Sequence, residues 1–208
     1  MPSLFVLTAA DADRAVILRR GPTKWFHVIG WDTRRDVFEH GAWLKGQIDR
    51  SLCGLSPNGE LLLAVVRQYA KRDTPYTHGW AAVSRAPWLK ALALWPYRRT
   101  CLWGGWFDGP RSVVLRSTRD EPPDWHAAHP PTGLTVRHVG PTERDPFAPP
   151  DPLVPHADWS GRDRRGGVIF TRVGRLYRLE RGEERLIADF TDLTPDPRPA
   201  PAWAGRPL

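Results

Sequence analysis

The side chains that could do chemistry in this sequence are few and scattered. His126 and His129 stand three residues apart in Asp124-Trp125-His126-Ala127-Ala128-His129, with His138 further on. That spacing can set two imidazoles on one metal. Zinc, however, recruits a third and fourth ligand nearby, and no Cys or His/Asp partner follows at the usual interval. The segment reads instead as a solvated, Pro-flanked loop. Nucleophilic catalysis needs Ser or Cys beside a histidine base held by an orienting acid. The chain has no Gly-x-Ser-x-Gly, and Cys53, next to Gly54, reads as a small buried hydrophobe on an inner strand. Gly104-Gly105 has no following Lys-Ser/Thr or helix to make a phosphate loop. These residues give no reason to assign a catalytic residue, a metal or a cofactor.

Two resources for binding stand out. The chain holds 11 Trp, and Trp103-Gly104-Gly105-Trp106-Phe107 follows Trp88 and Trp95 closely. Flat rings give large contact area at low entropic cost, so this run is a candidate platform for a peptide, sugar or nucleobase. Most of the rings are expected in packing, with one or two exposed around Trp103 and Trp106. The second resource is arginine: Arg172, Arg175, Arg178, Arg181 and Arg185 crowd the last hairpins, and Arg162, Arg164 and Arg165 precede them. Lined along one edge, they could grip phosphates, although a charged edge protected against strand pairing explains them equally well. The expected partner-binding set is Trp103, Trp106, Phe107, Arg172, Arg175 and Arg178.

The elements that must position these residues read as short strands. Residues 14–19 (RAVILR) and 24–31 (KWFHVIGW) flank a Gly21-Pro22 turn, and 37–44 (VFEHGAWL) completes a meander. In the second of these, Trp25, His27, Ile29 and Trp31 share one face and Phe26 and Val28 the other. Both faces are apolar, which predicts cover on both sides. A second unit runs through 52–55, the Ser56-Pro57-Asn58-Gly59 turn, 60–66, 77–84 and 90–95. A third holds 101–107 and 112–116. Residues 117–155 contain ten prolines around one isolated strand at 134–139. The last unit is 157–160, 167–172, 175–179 and 185–189, followed by a Pro-rich tail in which Trp203 is the expected anchor. Residues 1–190 thus form one domain with an irregular insert around 117–155, and 191–208 a tail packed on the body.

Composition agrees with sheet. The 22 Pro and 18 Gly suit many turns, and 41% apolar residues can fill a core. The charge of +7 invites a polyanion reading, yet lysine occurs only at Lys24, Lys45, Lys71 and Lys90. An arginine-heavy bias of that kind also follows from a GC-rich genome, and net charge speaks to non-specific binding more than to task. Residues 1–13 carry acids and no base, which predicts no secretory leader and a cytoplasmic location. No apolar run approaches the ~18 residues of a membrane-spanning helix.

The units repeat at roughly 45 to 50 residues, a period close to that of propeller blades. Val28-Ile29-Gly30-Trp31-Asp32 resembles the Trp-Asp strand end of WD-type blades. Leu55-Ser56-Pro57-Asn58-Gly59-Glu60-Leu61-Leu62 resembles the Ser-Pro-Asp-Gly turn of TolB-like blades, with Asn58 in place of the usual Asp. The order of these segments, with Ala82-Val83-Ser84-Arg85-Ala86-Pro87-Trp88 and the closing Pro-Ala-Pro-Ala-Trp-Ala, is similar to an uncharacterised Trp-rich family of bacterial proteins, shortened here around 117–155. The resemblance implies an all-β, propeller-like fold of three to five antiparallel blades in an incomplete or irregular ring, and bacterial origin. With no catalytic signature, the expected role is a non-enzymatic module for a protein partner. Nucleic-acid binding through the arginines is the alternative, and a hydrolase-like enzyme a second one.

Overall fold

A computed structural model describes residues 1–68, 79–96, 104–117, 123–140 and 154–208. The chain is all-β. Among the described residues the only helical turns are two short 3-10 segments. The first sheet is an antiparallel meander of β1 (Ser3–Thr8), β2 (Arg14–Arg20), β3 (Trp25–Asp32) and β4 (Val37–Lys45). β1 is absent from the sequence expectation, which gives this unit three strands. Its pattern is short, but Leu4 and Val6 point one way and are buried, and it pairs along β2 from Ser3 to Thr8.

The second sheet has a divided inner strand. β5 (Gln47–Ile48) and β6 (Gly54–Leu55) both pair with β7 (Leu61–Arg67), and a 3-10 turn at Arg50–Leu52 bulges out between them. β8 (Trp80–Arg85) and β9 (Ala91–Pro96) complete it. The turn before β7 forms as its residues dictate: Gly59 adopts φ +71°, and the Ser56 hydroxyl accepts from the amides of Glu60 and Leu61.

The third sheet corrects the expected isolated strand. β10 (Gly104–Gly109) and β11 (Ser112–Arg116) form a hairpin, and β12 (Thr135–Val139) joins β11 in parallel. Parallel neighbours need a crossover connection, and segment 117–134 supplies its length. The fourth sheet is the expected meander: β13 (Trp159–Arg162), β14 (Val168–Arg172), β15 (Arg175–Glu180) and β16 (Glu183–Asp189).

Two-faced burial explains the apolar strands. Ala15, Ile17, Ile29 and Trp31 of the first sheet pack with Ile169 and Leu176 of the fourth. Val16, Leu18, Phe26 and Val28, on the opposite face, pack with Leu62, Ala64 and Val66 of the second. That sheet's other face, Leu61, Leu63 and Val65, meets Phe107, Val113 and Leu115 of the third. Each fully buried Val, Leu, Ile or Phe among them contributes about 1.5–3 kcal/mol. The sheets therefore follow one another as fourth, first, second, third. Among the described residues no buried apolar cluster joins third to fourth, so the ring is irregular. The inner strands β1, β6, β10 and β13 nonetheless border a common axial cavity of about 280 Å³.

The tail ties the sheets together from outside. Arg19, buried on β2, donates to the carbonyls of Phe190, Thr191 and Leu193. Arg85 donates to those of Arg206 and Pro207, and Leu208 packs on the cluster between second and third sheets. The anchor differs from the expected one. Ala204, within the 3-10 turn at Ala202–Gly205, is fully buried, while Trp203 is 39% exposed, because the tight turn carries the small side chain inward.

Candidate anion-binding cleft

The structure redistributes the expected binding residues. Trp103, like Cys101, lies outside the described residues. Trp106 and Phe107 are buried, at 4% and 2% exposure, so they form no exposed platform. Alternation along β10 sends Phe107 into the core against the second sheet and Trp106 to the other face, against Val114 and Val139. Trp88 and Trp95 are buried as well.

Four of the five arginines of the last hairpins, Arg172, Arg175, Arg178 and Arg185, are committed to carboxylates of this same chain. Arg172 forms a bidentate pair with Glu184 at 2.9 and 3.1 Å, and Arg175 donates to Asp189 at 2.7 Å. Arg178 reaches across to the first sheet, where it donates to Asp36 at 2.8 and 3.1 Å and to the Thr33 carbonyl at 2.9 Å. Arg185 adds a bond to Asp36, and Arg165 pairs with Asp13. The contacts of Arg178, Arg185 and Arg165 fasten the fourth sheet to the first, whereas the pairs of Arg172 and Arg175 lie within the fourth sheet. Among the described residues Arg162, Arg164 and Arg181 form no salt bridge. The His126–His129 segment is also structural. His126 Nδ1 accepts the Ala128 amide, and the loop's backbone bonds Leu94 on the edge of β9.

Unpaired positive charge gathers elsewhere, in a cleft of about 670 Å³ between the first and second sheets. Arg20 ends β2, Lys24 closes the β2–β3 turn, Lys45 ends β4, and Arg50 sits on the 3-10 turn that splits the second sheet's inner strand. Phe5, Phe26 and Ile48 form an apolar floor. Asp49 is the only acid in the described lining, and Arg67 at 2.5 Å already holds it. Among the described residues no carboxylate forms a salt bridge with Arg20, Lys24, Lys45 or Arg50.

Arg50 is the centre of this arrangement. Its guanidinium lies 5.9 Å over the Phe5 ring and donates to the Ser3 hydroxyl at 3.1 Å. Burial, with Arg20 facing it, pushes its pKa below the ordinary guanidinium value, against a weaker pull from Asp158. A half-buried cation facing another cation is a site that an incoming anion stabilises. Lys45 lies 6.0 Å over Trp25 at the rim. Thr23, Gln47, Ser51 and Gln68 add neutral hydrogen-bonding groups.

The described lining contains neither histidine nor cysteine, so its chemistry is recognition of negative charge beside an apolar surface. No local signal in the sequence marks this site. Its four bases other than the Asp49-paired Arg67 are spread over residues 20–50 without a charge run, and the split inner strand places Arg50 beside the others. The one available hint is that two of the chain's four lysines, Lys24 and Lys45, fall here. Comparison with protein-family models, curated proteins and solved structures finds no match to this chain.

Proposed function

We propose that this chain is a non-enzymatic binding module that docks an acidic segment of a protein partner in the cleft between its first and second sheets. The observation behind this reading is the set Arg20, Lys24, Lys45 and Arg50 above an apolar floor, with the one acid of the described lining neutralised internally. A peptide can place carboxylates against the bases and an apolar side chain against Phe5 and Ile48. Nucleic acid is less well served, because it calls for a continuous basic track and four of the five arginines of the last hairpins, Arg172, Arg175, Arg178 and Arg185, are held by their own carboxylates.

The test is fluorescence polarisation with a labelled peptide of alternating Glu and Leu, with single-stranded RNA of matched charge as competitor. The expected outcome is saturable peptide binding that the Arg20→Gln/Arg50→Gln double variant weakens about tenfold or more, equivalent to about 1.4 kcal/mol. Peptide binding unaffected by the double variant, or displacement by RNA at far lower concentration than by unlabelled peptide, rejects the reading.

A further inference from the structure

Two bases of the cleft flank a single hydroxyl. Ser3 is the register partner of Arg20 across β1 and β2, and residues directly opposite in such a pair carry their side chains on one face, with Cβ atoms about 4.5–5.5 Å apart. That face is turned to the second sheet. Alternation groups Ser3 with Phe5 and Leu7 on β1, and Arg20 with Leu18 and Val16 on β2, and these apolar residues belong to the cluster shared with the second sheet. From the second sheet Arg50 reaches back and donates from its Nη1 to the Ser3 hydroxyl at 3.1 Å. One guanidinium from each sheet therefore stands beside Ser3. Arg20 is near enough to help hold the Arg50 pKa below its ordinary value.

Like charges brought together in this way repel unless an anion lies between them. A carboxylate supplies one negative charge and two oxygens. A phosphate monoester supplies about −1.5 to −2 near pH 7 and three acceptor oxygens, a better match to two planar guanidinium forks. Lys24 and Lys45 add positive charge at the rim, and Thr23 and Ser51 add hydroxyls. The nearby acids do not satisfy the pair: Asp49 is held by Arg67, and Asp158 pulls on Arg50 more weakly than Arg20 pushes. Beneath Arg50 the surface is apolar, with the guanidinium 5.9 Å over Phe5 and with Phe26 and Ile48 beside it in the lining. A phosphopeptide meets both halves of this site with adjacent side chains, whereas free phosphate meets only one.

We infer that the anchor of the docked segment is a phosphorylated serine, its phosphoryl oxygens held between Arg20 and Arg50 and a neighbouring apolar side chain laid on Phe5 and Ile48. This rests on the reading of the cleft as the docking site of an acidic segment, and names the group that the two arginines select.

The experiment compares three labelled peptides on the full chain by fluorescence polarisation: the alternating Glu and Leu peptide, the same peptide with one central Glu replaced by phosphoserine, and its counterpart with serine there. Unlabelled phosphopeptide, inorganic phosphate and single-stranded RNA serve as competitors. At pH 7.5 the phosphoserine peptide is expected to bind at least about tenfold more tightly than the Glu peptide. The advantage is expected to shrink severalfold by about pH 5.5, because the phosphate loses its second charge near pH 6 while Glu stays ionised and the described lining holds no histidine. Arg50→Lys keeps the charge but not the fork, and is expected to cut the advantage to below about threefold. Should Arg50→Lys fail to fold, Arg20→Lys, at the exposed end of β2, makes the same comparison. Equal affinity for the phosphoserine and Glu peptides, an advantage indifferent to pH, or one retained in the Lys variant overturns the assignment and leaves acidic-segment docking in place. Inorganic phosphate or RNA competing as well as the unlabelled phosphopeptide also overturns it, and binding of none of the peptides rejects both readings.

Discussion

Replacing Arg178 by Met removes the principal fastening between the fourth sheet and the first while keeping the side chain's apolar length over Trp31. Arg178 is only 14% exposed and its partner Asp36 20%. It makes two bonds to that carboxylate and one to the Thr33 carbonyl, with Asp163 3.8 Å away. Hydrogen bonds to charged groups contribute about 1.5–3 kcal/mol, and stranding one partner of a buried pair costs about 3–5 kcal/mol. Asp36 keeps Arg185 and the Trp31 indole N–H, so the expected loss lies at the lower end, about 2–3 kcal/mol. For a chain of this size that lowers Tm by roughly 4–12 °C. The loss also depends on pH. Burial alone would raise the Asp36 pKa, but bonds from Arg178 and Arg185 hold it below the ordinary carboxylate value. A carboxylate depressed in the folded state stabilises above its unfolded pKa, near 3.9, and loses that contribution as pH falls through its folded value. Urea unfolding of wild type and Arg178→Met should therefore differ most near neutral pH, with the difference shrinking progressively as pH falls below about 4 toward the depressed folded value of Asp36. A difference under about 0.5 kcal/mol at neutral pH, or one that persists undiminished in acid, refutes the role given to Arg178.

His27 gives a second pH signature. It is buried, neither ring nitrogen has a hydrogen-bond partner, and it stacks 4.1 Å from Trp43 and 5.1 Å from His40. Burial foremost, then the neighbouring His40 and Arg19, pushes its pKa down to about 3. The unfolded chain binds that proton near pH 6.5, so stability is full above this value and falls by about 1.4 kcal/mol per pH unit as pH drops toward the folded pKa. His27→Phe is expected to flatten the decline between about pH 6.5 and 5 in thermal melts, and an unchanged slope would count against it. At Gly105 a Cβ would collide with the Val114 carbonyl and press on Leu63 at 2.9 Å, so Gly105→Ala should cost about 3 kcal/mol or more. Denaturation at wild-type midpoint would show that β10 and β11 can separate.

Much of the architecture was legible because each central strand records its surroundings in two interleaved faces. The alternation of Phe26 and Val28 with Ile29 and Trp31 announces cover on both sides, and the clusters with the second and fourth sheets supply it. β1 and the parallel β12 were not legible. Leu4 and Val6 form too short a pattern to be distinctive, and β12 shows mostly exposed residues, its place fixed by pairing with β11. The binding residues fared differently. Trp106, Phe107 and Arg178 attracted notice by type, yet chemical type does not reveal whether a side chain has a partner inside the molecule.

By itself, the sequence determined an all-β chain of repeated short strands, since side-chain period and turn chemistry are local properties encoded within a few residues. Which charges remain unpaired was decided only by the tertiary structure. Asp36 and Arg178 meet across sheets and cancel, while Arg20, Lys24, Lys45 and Arg50, distant along the chain, converge where an inner strand is split. Electrostatic potential sums over distances in space, and no reading along the chain contains those distances.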